Sequence, residues 1–187
     1  MRLIDDEDKI IEPSEFLDVA KQTKLYNELT KIVFTKAMMF LSQTSNKISI
    51  DINASDILDE STRITIYDFI STNPYANRII LEIEEAEAIE SYNEIQEFLT
   101  AIKKYGTNIA IDDFGVGYSN FEYLLKLQAD YIKLDGTLIE TICDDLNSKK
   151  VAKTIIDFAH LNHIQVIAES VSSKEIFENV KDLGVDF

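Results

Sequence analysis

The spacing of apolar residues changes period several times along the chain, and those changes mark its elements. In residues 13–43 Leu25, Leu29, Ile32, Val33, the stem of Lys36 and Ala37 recur at helical spacing. Pro13 stands where a helix start tolerates proline, with Ser14 beside it to cap. The segment therefore reads as two helices. After it, short apolar runs at 47–53, 78–85, 108–115, 129–135 and 164–171 read as strands. The amphipathic stretches between and after them, 55–71, 87–106, 119–127, 137–163 and 173–184, read as helices, the fourth in one or two pieces. The closing Val185, Asp186 and Phe187 read as the start of a further strand. Strand, helix and strand in repetition predict parallel βαβ units.

Periodicity does not explain how the strands end. Each apolar run finishes in a residue that can bind a cation or move a proton: Asn53; Glu82 and Glu85; Asp112 and Asp113; Lys133 and Asp135; Glu169. Parallel strands bring their C-terminal ends to one face, where a β/α barrel or an open α/β sheet keeps its site. The adjacent Asp112 and Asp113 repel each other unless water or a cation screens them. Carboxylate and amide oxygens are hard donors suited to Mg²⁺ or Mn²⁺. One aspartate can bridge two ions while its neighbour serves the second, and paired ions clamp the attacking and leaving oxygens of a phosphodiester. Glu169 is placed to take a proton from an attacking water, and Lys133 to position that water or stabilise charge.

Composition narrows the function classes. The 187 residues suffice for one domain with a sizeable core. Lys and Arg total 18 against 34 Asp and Glu, a net charge of -16, which argues against binding duplex nucleic acid through a basic face. A small nucleotide held through metal ions stays open. The single cysteine, Cys143, cannot form an internal disulfide and reads as a half-buried small side chain. His160 and His163 fall at a helix end, away from the strand ends. The acidic N-terminus is no signal peptide and no apolar run reaches a membrane span, so the expected setting is reducing and cytoplasmic.

These strand endings resemble the EAL family, the cyclic di-GMP phosphodiesterases of bacterial signalling. The run "IDDFGVGYSN" is similar to the family's DDFGxGYSS loop, "DINAS" to its NxS strand, "LEIEE" to its ExTE strand with Glu84 in the Thr place, "IKLD" to KxD and "IAESVSS" to AEGVET. The resemblance implies an incomplete TIM-type β/α barrel with parallel strands and outer helices, and two divalent ions, Mg or Mn, that hydrolyse cyclic di-GMP to linear pGpG. By position it makes Asn53, Glu82, Asp112 and Asp113 metal ligands, and Glu169 a ligand or general base. Lys133 and Asp135 would serve the catalytic water, the second metal and the substrate. Glu85 would brace the loop after Asp113, and Arg2, closing the family's EALxR segment, would contact substrate phosphate.

The departures set further expectations. The signature glutamate falls before Met1 and the closing QGxxF strand after Phe187, and Ser170 and Ser172 stand where the family has Gly and a second Glu. Residues 1–187 are thus expected to be a single EAL-like domain fragment, lacking the first strands and the closing strand and impaired in hydrolysis. Its raw edges are expected to drive a homodimer or larger oligomer. A parent protein is expected to carry an upstream sensor or GGDEF-type domain. The other reading is a degenerate, non-catalytic module that binds cyclic di-GMP or a protein partner. A kinase reading of "DFG" fails, since no Gly-rich nucleotide loop or HRD-like loop accompanies it.

Overall fold

The computed structural model describes residues 2–4, 6–23, 25–90, 92–115 and 121–187. A short antiparallel hairpin, β1 (Leu3–Ile4) and β2 (Ile10–Ile11), leads into α1 (Pro13–Gln22) and α2 (Tyr26–Leu41). Then come β3 (Ile48–Asp51), α3 (Ala54–Leu58), α4 (Glu60–Thr72), β4 (Ile79–Glu84), α5 (Glu85–Glu90) and α6 (Tyr92–Lys103). The chain continues through β5 (Asn108–Phe114), α7 (Phe121–Leu127), β6 (Tyr131–Leu134) and α8 (Gly136–Glu140). It closes with α9 (Leu146–Leu161), β7 (Gln165–Ala168) and α10 (Lys174–Leu183). Strands β3 to β7 form one parallel sheet in sequence order, each joined to the next through helices.

The breaks between consecutive helices lie at capping residues. The expected 55–71 helix is two, because Asp59 takes an extended backbone and accepts from Thr62 N at 2.8 Å, ending α3 and starting α4. Within 137–163, Asp145 caps α9 by accepting from Asn147 N and Ser148 N. Ser173 starts α10, and Gly184, at φ 97°, ends it in the left-handed region that glycine occupies without strain. In α2 Thr30, Phe34 and Leu41 are buried, Val33 and Ala37 of the apolar stripe pack against the main core, and Leu29, Val33, Lys36 and Ala37 also line a cavity beside β3.

The sheet is covered on both faces. Ile50, Ile79, Leu81, Ile83, Ile109, Ile111, Ile132 and Val166 point outward into the main core, packed under Ile57, Ile66, Ile95, Leu99, Ile155 and Ile156 of the helices. The other face carries a small apolar floor of Ile80, Ala110 and Tyr131 against Ile167. The Tyr131 hydroxyl meets Lys47 Nζ at 2.8 Å, and its ring meets that of Phe187. Val185 to Phe187 are not a counted strand, yet Ala168 N donates to Phe187 O at 2.9 Å and Asp186 N to Val166 O at 2.9 Å, so they lie along β7. His160 in the last turn of α9 holds the Asp186 carboxylate at 3.0 Å, a helix-end role. Cys143 is half-buried beside Asn179. No described helix is long and apolar enough to cross a membrane.

One buried carboxylate has an incomplete set of partners. Asp56 is fully buried, and its Oδ2 accepts from Asn53 N at 3.1 Å. Its Oδ1 has no hydrogen-bond partner among the described residues. Burial pushes the Asp56 carboxyl up, and the Asn53 N–H and the Thr30 hydroxyl only partly offset this. The folded state then holds this proton more tightly than the unfolded chain, so Asp56 costs stability as pH rises through that window. Asp56→Asn is expected to raise stability at pH 7 by about 1–2 kcal/mol. The gain should shrink as pH falls toward 4, in urea unfolding followed at each pH. A variant no more stable than the parent at pH 7 contradicts this account.

Candidate active site

Register explains why the strand ends converge. Asp51 pairs with Glu82, Glu82 with Ala110, Ala110 with Tyr131 and Tyr131 with Gln165, so these positions share one face. On that face each strand repeats one rule. A small or apolar residue is followed two positions later by a charged one: Ser49 and Asp51, Ile80 and Glu82, Ala110 and Asp112, Tyr131 and Lys133, Ile167 and Glu169. Side chains alternate with period two in a strand, so the floor and the charged layer above it are built by the same alternation.

Lys133 holds the layer together. Its Nζ lies 3.0 Å from Glu82 Oε2, 2.8 Å from Asp112 Oδ2 and 2.7 Å from Glu169 Oε1. Burial alone would push this ammonium down. Its hydrogen bonds to Asp112, Glu169 and Glu82 outweigh that effect and hold it above its ordinary value. Lys133 is therefore a charged resident cation, not a proton acceptor at neutral pH.

The adjacent aspartates work because the strand bends between them. Register with β6 shifts between Ile111 and Phe114, and Asp113 has φ 53°. A regular strand would send the two carboxylates to opposite faces; a bulge re-aims one of them. Asp113 N donates to Asp112 Oδ1 at 2.9 Å. Oxygens of Asp112, Asp113 and Glu169 come within 4.8 Å of one another, and so do oxygens of Asp51, Glu82 and Asp112. The two triads share Asp112. Burial pushes the Asp113 carboxyl up, with the charges of Asp112, Asp135 and Glu84 adding to it. Burial also raises Asp51, followed by the charge and hydrogen bond of Glu82.

The remaining expected residues are not among the Lys133 contacts. Asn53 caps α3, its Oδ1 accepting from Asp56 N at 3.0 Å and Ser55 Oγ at 2.6 Å. Asp135 caps α8, accepting from Thr137 N at 2.7 Å and from the Thr137 hydroxyl. Glu85 is buried where β4 runs directly into α5; residues 116–120 of the loop it was expected to brace lie outside the described residues. Arg2 pairs with Glu12 at 2.9 Å and opens onto a cavity that it shares with Tyr26, Ser49 and Asp51. Within that cluster the Tyr26 hydroxyl is pushed up to about 12 by burial and by the charges of Asp56, Asp51 and Glu87. Ser170 has φ 53°, a conformation costing a non-glycine residue about 1 kcal/mol, and a Cβ on Gly136 would collide with its hydroxyl. The sequence reading missed Asp51. The two-residue spacing to the apolar floor was the signal for it.

The donor set fits a divalent cation. Five carboxylates, those of Asp51, Glu82, Asp112, Asp113 and Glu169, face one ammonium among the described residues. Oxygen-only ligands on flexible side chains are what hard dications take.

Comparison with known proteins gives one family. The EAL domain model matches residues 1–187. Cyclic di-GMP phosphodiesterase PdeB of Shewanella oneidensis is 28% identical over 190 residues, covering 96% of this chain and 22% of PdeB. Cyclic di-GMP phosphodiesterase PdeA of Borreliella burgdorferi is 30% identical over 193 residues, covering 100% of this chain and 29% of PdeA. The chain thus spans about a quarter of the length of these curated relatives. The FimX EAL domain of Xanthomonas citri, solved in complex with c-diGMP, superposes with a TM-score of 0.91 at 21% identity, over 99% of this chain and 75% of that one. The shared fold is a TIM-like barrel.

The Lys133 contacts predict a stability effect independent of any reaction. Lys133→Met keeps the length of the side chain and strands three carboxylates without their cation. The metal-free variant is expected to lose about 3 kcal/mol in urea unfolding at pH 7. The loss should diminish at acidic pH, where the carboxyls take up protons. A loss below about 1 kcal/mol, the size typical of an exposed ion pair, would show that Lys133 does not hold the layer.

Proposed function

The chain belongs to the EAL domain family, and from that premise we propose that it is a metal-dependent phosphodiesterase module hydrolysing cyclic di-GMP to linear pGpG. One observation carries the reading: two carboxylate triads share Asp112 at the C-terminal ends of parallel strands. The names of the curated relatives support the substrate. In this reading Glu82, Asp112, Asp113 and Asn53 hold two divalent ions, Mg or Mn. When bound, the ions supply the positive charge that draws the phosphodiester and sharpens its phosphorus for attack.

The protein's own groups do the rest. Glu169, at the open end of the Lys133 network, accepts a proton from the attacking water. The P–O3′ bond breaks as the ring opens to the linear dinucleotide, and the released 3′-oxygen takes a proton from solvent water. Lys133 bonds and aims the Glu169 carboxylate, and stabilises charge that builds on the phosphate. Asp135, fixed as a helix cap, contributes to the second ion and the substrate. Arg2, on the neighbouring cavity, contacts a phosphate, and Glu85 supports the loop after Asp113. An upstream sensor or GGDEF-type domain in a longer protein belongs to the same reading, in keeping with the greater length of the relatives. So does a homodimer or larger oligomer, since β3 has no second strand partner among the described residues.

A second reading, a receptor that binds cyclic di-GMP without cleaving it, is favoured by the strained Ser170 directly after Glu169. Chromatography of the linear product with Mg²⁺ and then Mn²⁺ decides between them. Asp112→Asn is expected to abolish turnover. Glu169→Gln is expected to lower turnover by about 10²–10⁴-fold while leaving binding of cyclic di-GMP in place. Binding with no product under either ion would replace the enzyme with the receptor.

A further inference from the structure

Away from the strand ends, α4 and α6 leave a groove between them that the proposed reaction does not use. Phe98, nearly buried, and Ala101 belong to α6, and Ile64 and Tyr67 of α4 face them. Together these side chains line a cavity of about 320 Å³. We propose that this groove docks an amphipathic helix of a partner protein, apolar along the side it inserts and carrying lysine or arginine along its flanks. The inference goes beyond the hydrolytic reading and does not rest on it.

Three observations carry it. The first is geometry. Glu94, Glu97, Phe98 and Ala101 share one face of α6 at helical spacing, and Ile64 and Tyr67 share one face of α4. The trough between them runs for about two helical turns, roughly 10 Å, which suits an amphipathic helix laid along it. The second is exposed apolar surface on a fixed wall. Ile64 is 51% exposed, so covering it removes apolar area from water. The Tyr67 hydroxyl is held by that of Tyr105 at 2.8 Å, so this side of the groove is already in place before anything docks. The third is charge. Glu60 and Asp68 stand one turn before and one turn after Ile64, and Glu94 and Glu97 form the other bank. All four are exposed, and none forms an ion pair among the described residues. Residues 51–100 hold twelve Asp and Glu against Arg63 and Arg78. Both arginines are committed to backbone carbonyls, Arg63 to Ile57 O at 3.1 Å and Arg78 to Leu41 O. A basic flank therefore complements these banks. A second copy of the same face does not, because it would set carboxylate against carboxylate.

The probe is a short fluorescein-labelled peptide of leucine and lysine at helical spacing, followed by fluorescence anisotropy, with a leucine and glutamate peptide of the same pattern beside it. The parent is expected to bind the leucine–lysine peptide and not the leucine–glutamate one. Ala101→Trp, which fills the cavity, and Ile64→Ser, which removes its apolar wall, are each expected to bind at least about tenfold more weakly, with folding checked by circular dichroism. Glu94→Gln with Glu97→Gln should weaken binding about three- to tenfold at low salt, and the difference should close as salt is added. Glu175→Gln with Asp182→Asn removes the same charge from α10, which lies against α8 and α9, and should bind as the parent does. The inference is overturned if the parent does not bind the leucine–lysine peptide, or if neither folded groove variant weakens binding. It is overturned equally if the α10 pair weakens binding as much as the α6 pair, or if the leucine–glutamate peptide binds as tightly. A dimer in sedimentation that Ile64→Ser dissociates would make the occupant a second copy, and would also overturn it.

Discussion

The ammonium of Lys133 sits within 3.0 Å of carboxylates from β4, β5 and the end of β7. The charged layer above the barrel floor depends on that contact. Without a cation between them, acids at the ends of adjacent strands would repel. With Lys133 present, three of the acids share one cation and are mutually oriented in a half-buried setting. Removing one partner from such a cluster costs far more than an exposed ion pair contributes. The lysine therefore keeps the site assembled, and the acids it leaves over, Asp51 and Asp113, supply the negative surplus that a dication would neutralise.

Topology puts those side chains within reach. Five parallel strands in sequence order bring their C-terminal ends to one rim, and period-two alternation separates an outer face of isoleucine, leucine and valine from an inner face of floor and charge. Two backbone irregularities then adjust the rim. The bulge at Asp112 and Asp113 brings both carboxylates to the same end of the strand. The left-handed Ser170 turns the chain sharply after Glu169 and fills the space beside Gly136. Both are sparsely populated conformations for their residue types, and both flank the acids around Lys133, where strain tends to concentrate in working sites.

Much of this was legible in the sequence, for stated physical reasons. The strand–helix alternation was readable because the hydrophobic period switches cleanly. The polar strand ends stood out because a strand buried on both faces has no other reason to carry charge. Glu82, Asp112, Asp113, Lys133 and Glu169 were all found that way. Asp51 was not, because reading the last polar residue of each strand selects Asn53. Only the register with Glu82 shows that the charged layer meets β3 two residues earlier. The capping roles of Asn53 and Asp135 were equally hidden by attention to chemistry, although both residue types are common helix N-caps. The stripe on α2 was legible as a helix but not as a packing partner. Amphipathic spacing identifies a helix, but not which neighbour its apolar side meets, and here part of it lines a cavity beside β3.

The central claim is that Asp112 is the shared element of a paired-cation site built by strand register around Lys133. The most direct measurement is diffraction from crystals soaked in Mn²⁺, collected at the manganese absorption edge. The account predicts two anomalous peaks, both in contact with Asp112, one also touching Glu82 and the other Asp113 or Glu169. Manganese bound away from Asp112, or no ordered manganese at the strand ends at saturating concentration, would contradict it.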